Sequence, residues 1–198
     1  MNGTGIVILA AGNSSRLGRP KQLLAWQDNL LVQRITAESF KAALQPVVVV
    51  TGANAAAVSE ALTAYDVIST FNQNWRQGMG SSIAIGIAHL LLLDAELENV
   101  IIAVCDQPFV TADLFSELYR RKAETGRNIV ACSYEDTVGT PVLFGKKYFE
   151  KLRNFSGEEG AKKLLKLFAS DVAEVSFPEG AIDIDTDQDY LDFLNMQQ

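Results

Sequence analysis

Histidine is almost missing from this chain: His89 stands alone in 198 residues, beside only two cysteines, Cys105 and Cys132. Two thiols cannot build a Cys-rich zinc site. Both lie in apolar stretches that read as buried strands, so reduced core thiols are expected rather than a disulfide. His89 sits mid-helix with no acidic or thiol partner nearby in sequence and reads as structural. No apolar run reaches the roughly 18 residues of a membrane span. The first apolar run, residues 6–11, has no basic segment before it and is too short for a signal-peptide core. A soluble, cytoplasmic protein with no membrane partner is the expectation. Positive charge is also in short supply, with 17 Lys and Arg against 24 Asp and Glu, a formal net charge of −7. A nucleic acid would meet net repulsion from such a chain. A small anion could still be held where cations gather, as at Arg16, Arg19 and Lys21. Linker-like stretches, internal repeats and low-complexity segments are lacking too, so residues 1–198 are expected to form one domain.

What is present is alternation. Ile6-Val7-Ile8-Leu9 is a β-branched run ending at a small-residue turn, the pattern of a buried strand. Helical spacing over residues 30–44 stops before Pro46, and four valines, 47–50, form the next strand. An Ala-rich helix over 53–64, a short strand over 67–70, a helix over 81–93 and a strand over 100–104 follow. Thr111 is placed to cap a helix running to about residue 123. Strands are expected at 129–132, 142–144 and 172–177. Ser156-Gly157-Glu158-Glu159 fits a capping box opening a helix to Phe168, and Thr186 caps a last helix. Repeated strand–helix alternation predicts a three-layer α/β architecture, a mostly parallel sheet with helices on both faces. Ligands in such sheets sit beyond the carboxyl ends of the strands. That rule selects the loop of residues 10–21, the Thr51-Gly52 turn and the turn at Asp106-Gln107-Pro108.

In the first of these, Ala10, Ala11 and Gly12 let a ligand approach the backbone, and successive free N–H groups make an anion nest. Arg16 adds a donor fork suited to phosphate and Lys21 a mobile point charge. The Walker A pattern is absent, because five residues separate Gly12 from Gly18 and Arg19-Pro20-Lys21 follows. The dinucleotide pattern G-x-G-x-x-G is absent after this strand as well. Asp106 puts a carboxylate at the end of a central strand, where Mg²⁺ could be held by one or two carboxylates plus phosphate oxygens. Asp183 and Asp185, on the same side of an extended segment, offer a second acidic group. Gly78-Met79-Gly80-Ser81-Ser82 opens a helix whose free N–H groups and hydroxyls could read a base or ribose. Trp26 and Trp75 read as packing residues rather than stacking platforms.

Leu9-Ala10-Ala11-Gly12, with Arg16, Gly18, Pro20 and Lys21 following, resembles the signature of GT-A-like nucleotidyltransferases. Asn74-Trp75-Arg76-Gln77-Gly78-Met79-Gly80-Ser81-Ser82, Cys105-Asp106-Gln107-Pro108-Phe109, Gly139-Thr140-Pro141-Val142-Leu143-Phe144 and Ser156-Gly157-Glu158-Glu159-Gly160-Ala161 extend the likeness over nearly the whole chain. Together they resemble the molybdenum cofactor cytidylyltransferase group. Glu158 stands where that group usually has Asp, and Thr140 where it commonly has His.

The resemblance implies a Rossmann-like GT-A fold and transfer of CMP from CTP to the phosphate of molybdopterin or its molybdenum-loaded form. It implies nucleotide contacts from Leu9, Ala10, Ala11, Gly12, Arg16, Lys21, Thr51, Gly52, Gly78, Ser81 and Ser82. Arg16, Lys21 and Asp106 would be catalytic, with Mg²⁺ on Asp106 and Asp185. A molybdoenzyme or its chaperone would be the protein partner. Another cytidylyltransferase, a sugar-phosphate nucleotidyltransferase and a non-catalytic nucleotide-binding domain are the alternatives. Guanylyl-transferring relatives have Leu-Ala-Gly-Gly at the first turn, so Ala10-Ala11-Gly12 points to CTP.

Overall fold

The computed structural model describes residues 3–157, 162–184 and 186–195. A seven-stranded sheet forms its middle layer, in the order β5-β4-β1-β6-β8-β7-β9. The strands are β1 (Thr4–Ala10), β4 (Val47–Thr51), β5 (Ile68–Phe71), β6 (Asn99–Val104), β7 (Ile129–Tyr134), β8 (Thr137–Gly145) and β9 (Val172–Ser176). A two-stranded ribbon, β2 (Ala25–Trp26) and β3 (Asn29–Leu30), stands apart. Only β8 runs against the others, antiparallel to both β6 and β7. β9 pairs parallel to β7 and so shares the direction of β1. The expectation of a mostly parallel sheet is met, with one reversal that the alternation did not signal.

Period-two burial builds both faces of the sheet. Ile6, Ile8 and Ala10 point to one side, against Val32 and Ile35 of α1 (Leu31–Lys41), Val58 of α2 (Ala55–Ala61) and Phe115 and Leu118 of α4 (Ala112–Thr125). Val7, Leu9 and Ala11 point to the other. There they meet Ile83, Ile87 and Leu90 of α3 (Met79–Leu93), Leu152 of α5 (Phe149–Arg153) and Leu164 of α6 (Lys162–Leu167). A strand buried on both faces has no polar alternation, which is why β1, β4 and β6 are legible as unbroken apolar runs. Cys105 and Cys132 are buried, free thiols, and burial pushes Cys132 up to about 12. Their place in the core agrees with the sequence reading.

Thr111 caps α4 as expected, its hydroxyl accepting from the Leu114 N–H at 3.3 Å. Glu38 of α1 adds a carboxylate that accepts from the Ala112 N–H at 2.8 Å, satisfying another orphan donor where the helix dipole favours negative charge. α7 (Asp187–Asn195) starts at Thr186, where Thr186 and Asp189 cap each other's N–H groups. Ser156-Gly157-Glu158-Glu159 falls partly outside the described residues, which resume with α6 at Lys162. A third apolar cluster of Leu17, Leu24, Trp26, Leu31, Ile184 and Phe193 joins the first loop, the ribbon and α7. Trp26 packs edge-on against Phe109 and Phe193 and carries Arg34 over its ring at 3.6 Å.

Candidate active site

All six co-directed strands end at one edge of the sheet, and the loops following β1, β4 and β6 meet there. The loop after β1 is tight. Leu17 N and Gly18 N both donate to Ser14 O at 3.1 Å, and Ser14 Oγ accepts from Lys21 N at 3.0 Å. Burial of Leu17 fixes the far side of this loop in the third cluster. Arg19 pairs with Asp187 at 2.7 Å and lies over the Tyr190 ring. Gln22 is 1% exposed, and its Nε2 donates to Ala10 O at 3.1 Å and to Gly12 O at 2.7 Å.

After β4, Gly52 has no room for a side chain. A Cβ there would lie 2.4 Å from Ala11 O and 2.9 Å from Trp75 Cβ. Thr51 is buried, and its hydroxyl donates to Thr70 O at 3.3 Å. After β6, the turn at Asp106 is held from outside: Arg34 Nε donates to Pro108 O at 2.6 Å, and Gln107 Nε2 donates to Gly180 O at 3.1 Å.

Between these loops opens a cleft of about 350 Å³. Leu9, Ala11, Gly12 and Asn13 line it from the first loop, and Lys21, Gln22, Cys105 and Asp106 line it as well. Trp75, Arg76, Gly78, Met79 and Ser82 supply the wall from the start of α3. Of the residues expected from the sequence, the fold therefore brings Leu9, Ala11, Gly12, Lys21, Gly78, Ser82 and Asp106 together. Arg16 lies on the exposed outer stretch of the loop, away from this wall. Ala10 and Thr51 sit behind the wall in the sheet. Ser81 is occupied by the turn, donating to Gly78 O and accepting from Asn72 Nδ2, which also reaches Ser82 Oγ at 3.0 Å.

The ammonium of Lys21 forms an ion pair with Asp106 and stands 3.8 Å from Asp183 Oδ1. Burial works against that charge, but the Asp106 carboxylate, with Asp183 behind it, outweighs it and raises the lysine above its ordinary range. Lys21 therefore stays charged at any physiological pH. Asp185 lies outside the described residues; among the described residues after β9, Asp183 places a carboxylate beside Lys21.

Sequence reasoning missed Gln22, Arg34, Asn72 and the placing of Trp75 on the cleft wall. Trp75 packs against the second apolar cluster, as the sequence leads one to expect. It lines the cleft with Arg76 stacked 4.6 Å over its ring. Gln22 directly follows Lys21 and was within reach of a reading that asked what holds the loop's carbonyls.

A mostly parallel α/β sheet thus carries a small-residue loop after its first strand and a Lys–Asp pair at its carboxyl edge. Residues 6–175 match the MobA-like NTP transferase domain, and the chain belongs to that family. It is 26% identical to the purine catabolism protein PucB of Bacillus subtilis, over 93% of this chain and 92% of that one. With the molybdenum cofactor cytidylyltransferase of Escherichia coli it shares 23% identity, over 96% and 95%. A 104-residue stretch is 38% identical to nicotine blue oxidoreductase of Paenarthrobacter nicotinovorans, covering 52% of this chain and about half, 48%, of that protein. Among solved structures, Rv0371c of Mycobacterium tuberculosis superposes with a TM-score of 0.81 at 27% identity, covering 97% of both chains. A manganese complex of Rv0371c superposes at 0.74 with 26% identity, covering 97% of this chain and 98% of that one. Among the described residues no helix is long and apolar enough to cross a membrane.

Proposed function

We propose that residues 1–198 form one transferase domain that moves CMP from CTP to the phosphate of a small acceptor of the molybdopterin type. An acceptor phosphate oxygen bonds to the α-phosphorus, the bond from that phosphorus to the bridging oxygen breaks, and pyrophosphate leaves. A phosphate oxygen is already a nucleophile, so the protein's task is positioning and charge stabilisation. The observation that carries this reading is the Lys21–Asp106 pair at the cleft, facing the loop of residues 10–21.

In this reading the loop N–H groups hold the β- and γ-phosphates, with Arg16 adding a charged fork from the outer stretch. Lys21 stabilises charge growing on the α-phosphoryl oxygens. Ala11, Gly78 and Ser82 border the nucleoside, and Ala10, Thr51, Gly52 and Ser81 shape the backbone behind them. Asp106 and Asp183 already bracket a cation, the ammonium of Lys21. Two carboxylates with phosphate oxygens are a donor set that suits Mg²⁺. Asp106 would hold the ion with Asp183 or Asp185, and it would neutralise the triphosphate. The manganese complex of the structural neighbour Rv0371c supports the reading that a divalent ion takes part.

Pyrophosphate release by the purified protein tests the proposal, with each of the four NTPs offered against molybdopterin and sugar phosphates. Release with CTP and molybdopterin is the expected result. Release only with another acceptor would move the chain to a different transferase, and none with any pair would leave a nucleotide binder.

A further inference from the structure

The side chain of Gln22 is spent on the backbone of the loop. Both of its amide hydrogens go to main-chain carbonyls, those of Ala10 and Gly12, and its own Oε1 is buried with no partner among the described residues. An apolar side chain of similar length would fill this place without stranding a polar atom. The arrangement therefore has to be explained by what the amide does to those two carbonyls.

In a trans peptide the C=O and N–H point in opposite directions. Drawing Ala10 O toward Gln22 turns the N–H of Ala11 away from it, and drawing Gly12 O turns the N–H of Asn13 away likewise. Among the described residues, no protein acceptor takes the N–H of Ala11, Gly12 or Asn13, and all three residues line the cleft. Gly12 alone could not keep such an arrangement, since little packs around it: the nearest atom to a Cβ placed there is Gln22 Nε2 itself, at 4.0 Å.

We infer that Gln22 is a positioning residue that fixes the anion nest, aiming the Ala11 and Asn13 N–H groups at the triphosphate. Gln22 meets the phosphates only through these peptide planes. The inference deepens the proposed function and rests on its reading of the loop as the triphosphate cradle. Because the aimed groups bind ground state and transition state alike, their loss acts on nucleotide binding more than on the chemical step.

The test uses Gln22→Met, which keeps length and removes both donors, and Gln22→Glu. Inorganic pyrophosphate is the binding probe, followed by calorimetry, and backbone amide exchange is read at Ala11 and Asn13. Gln22→Met is expected to weaken pyrophosphate binding about tenfold and raise KM for CTP similarly, with kcat and KM for the acceptor nearly unchanged. Amide exchange at Ala11 and Asn13 should quicken while the melting transition stays cooperative. For Gln22→Glu, pyrophosphate affinity relative to wild type should recover in part as pH falls, because a protonated carboxyl regains one donor. This second variant decides the matter if Gln22→Met fails to fold. Wild-type pyrophosphate affinity in folded Gln22→Met, or no recovery of Gln22→Glu at low pH, overturns the inference. Pyrophosphate binding that depends on Gln22, in a protein that transfers no nucleotide, would uphold it and remove the proposed reaction instead.

Discussion

Asp106 and Asp171 each face a lysine, at opposite edges of one sheet. Asp171 lies just before β9, at the amino-terminal edge. It accepts from Asn128 N at 3.0 Å, Asn128 Nδ2 at 3.2 Å, Tyr148 OH at 2.8 Å and Lys147 Nζ at 3.1 Å. Burial pushes this carboxyl up, but those donors prevail and hold it at about 2. Burial, then the Asp171 carboxylate, pushes Tyr148 up to about 12. Asp106 follows β6 at the carboxyl edge and has Lys21 as its side-chain partner among the described residues. A carboxylate held by four donors fastens elements together, here β7, β9 and the turn before α5. One paired with a single cation, in a cleft, keeps coordination capacity for something else. The comparison teaches that partner count and place separate a structural ion pair from a candidate catalytic one, even where both are largely buried.

The strongest way to break this contrast is Asp106→Asn. Transferase activity should disappear, with no rescue by added Mg²⁺, while the melting temperature moves little. A variant that kept both its rate and its Mg²⁺ dependence would reduce Asp106 to a turn residue. Lys21→Ala comes next, with an expected fall in turnover of about 10²- to 10³-fold and an intact fold, the scale seen when one transition-state donor is removed. Steady-state pyrophosphate release alongside circular dichroism decides it, and near-normal turnover removes Lys21 from the mechanism.

Asp171→Asn should show the reverse profile: turnover within about twofold of wild type, and a stability loss of about 2 kcal/mol at neutral pH. The sign follows from a folded value below the unfolded one. The contribution is complete above about pH 4 and is lost as pH falls toward about 2. Urea titrations across that window should slope in wild type and flatten in the mutant. Equal slopes would mean that the latch carries no such linkage. The smallest effect belongs to the loop. Ala11→Gly should narrow the preference for CTP over GTP by less than about tenfold without reversing it, since one methyl group discriminates weakly. Competition between the two nucleotides measures this, and a wild-type preference for GTP would overturn the base assignment.

The strands that position the site were legible because strands buried on both faces carry unbroken apolar runs, as in Ile6-Val7-Ile8-Leu9 and Val47-Val48-Val49-Val50. Asp106 was legible from its place after such a run. The reversal at β8 was not, because the two-residue turn at Glu135 and Asp136 lacks the glycine that signals a hairpin, Glu135 taking a φ of 50° itself. Pairing of Lys21 with Asp106 joins residues far apart in sequence, which no local pattern reports. Period-two spacing put Asp183 and Asp185 on one side but could not rank them; Asp183 stands 3.8 Å from the Lys21 ammonium, and Asp185 lies outside the described residues.

The third apolar cluster has a consequence for the order in which this protein is made. Leu17 of the first loop packs in one group with Ile184 and with Phe193 of α7, and Arg19 reaches Asp187. The loop leaves the ribosome well before the surfaces that hold it. A nascent chain stalled before α7 can complete β1, β4 and β6 and still carry a slack loop over residues 10–21. Activity should therefore appear only after residue 193 has cleared the exit tunnel.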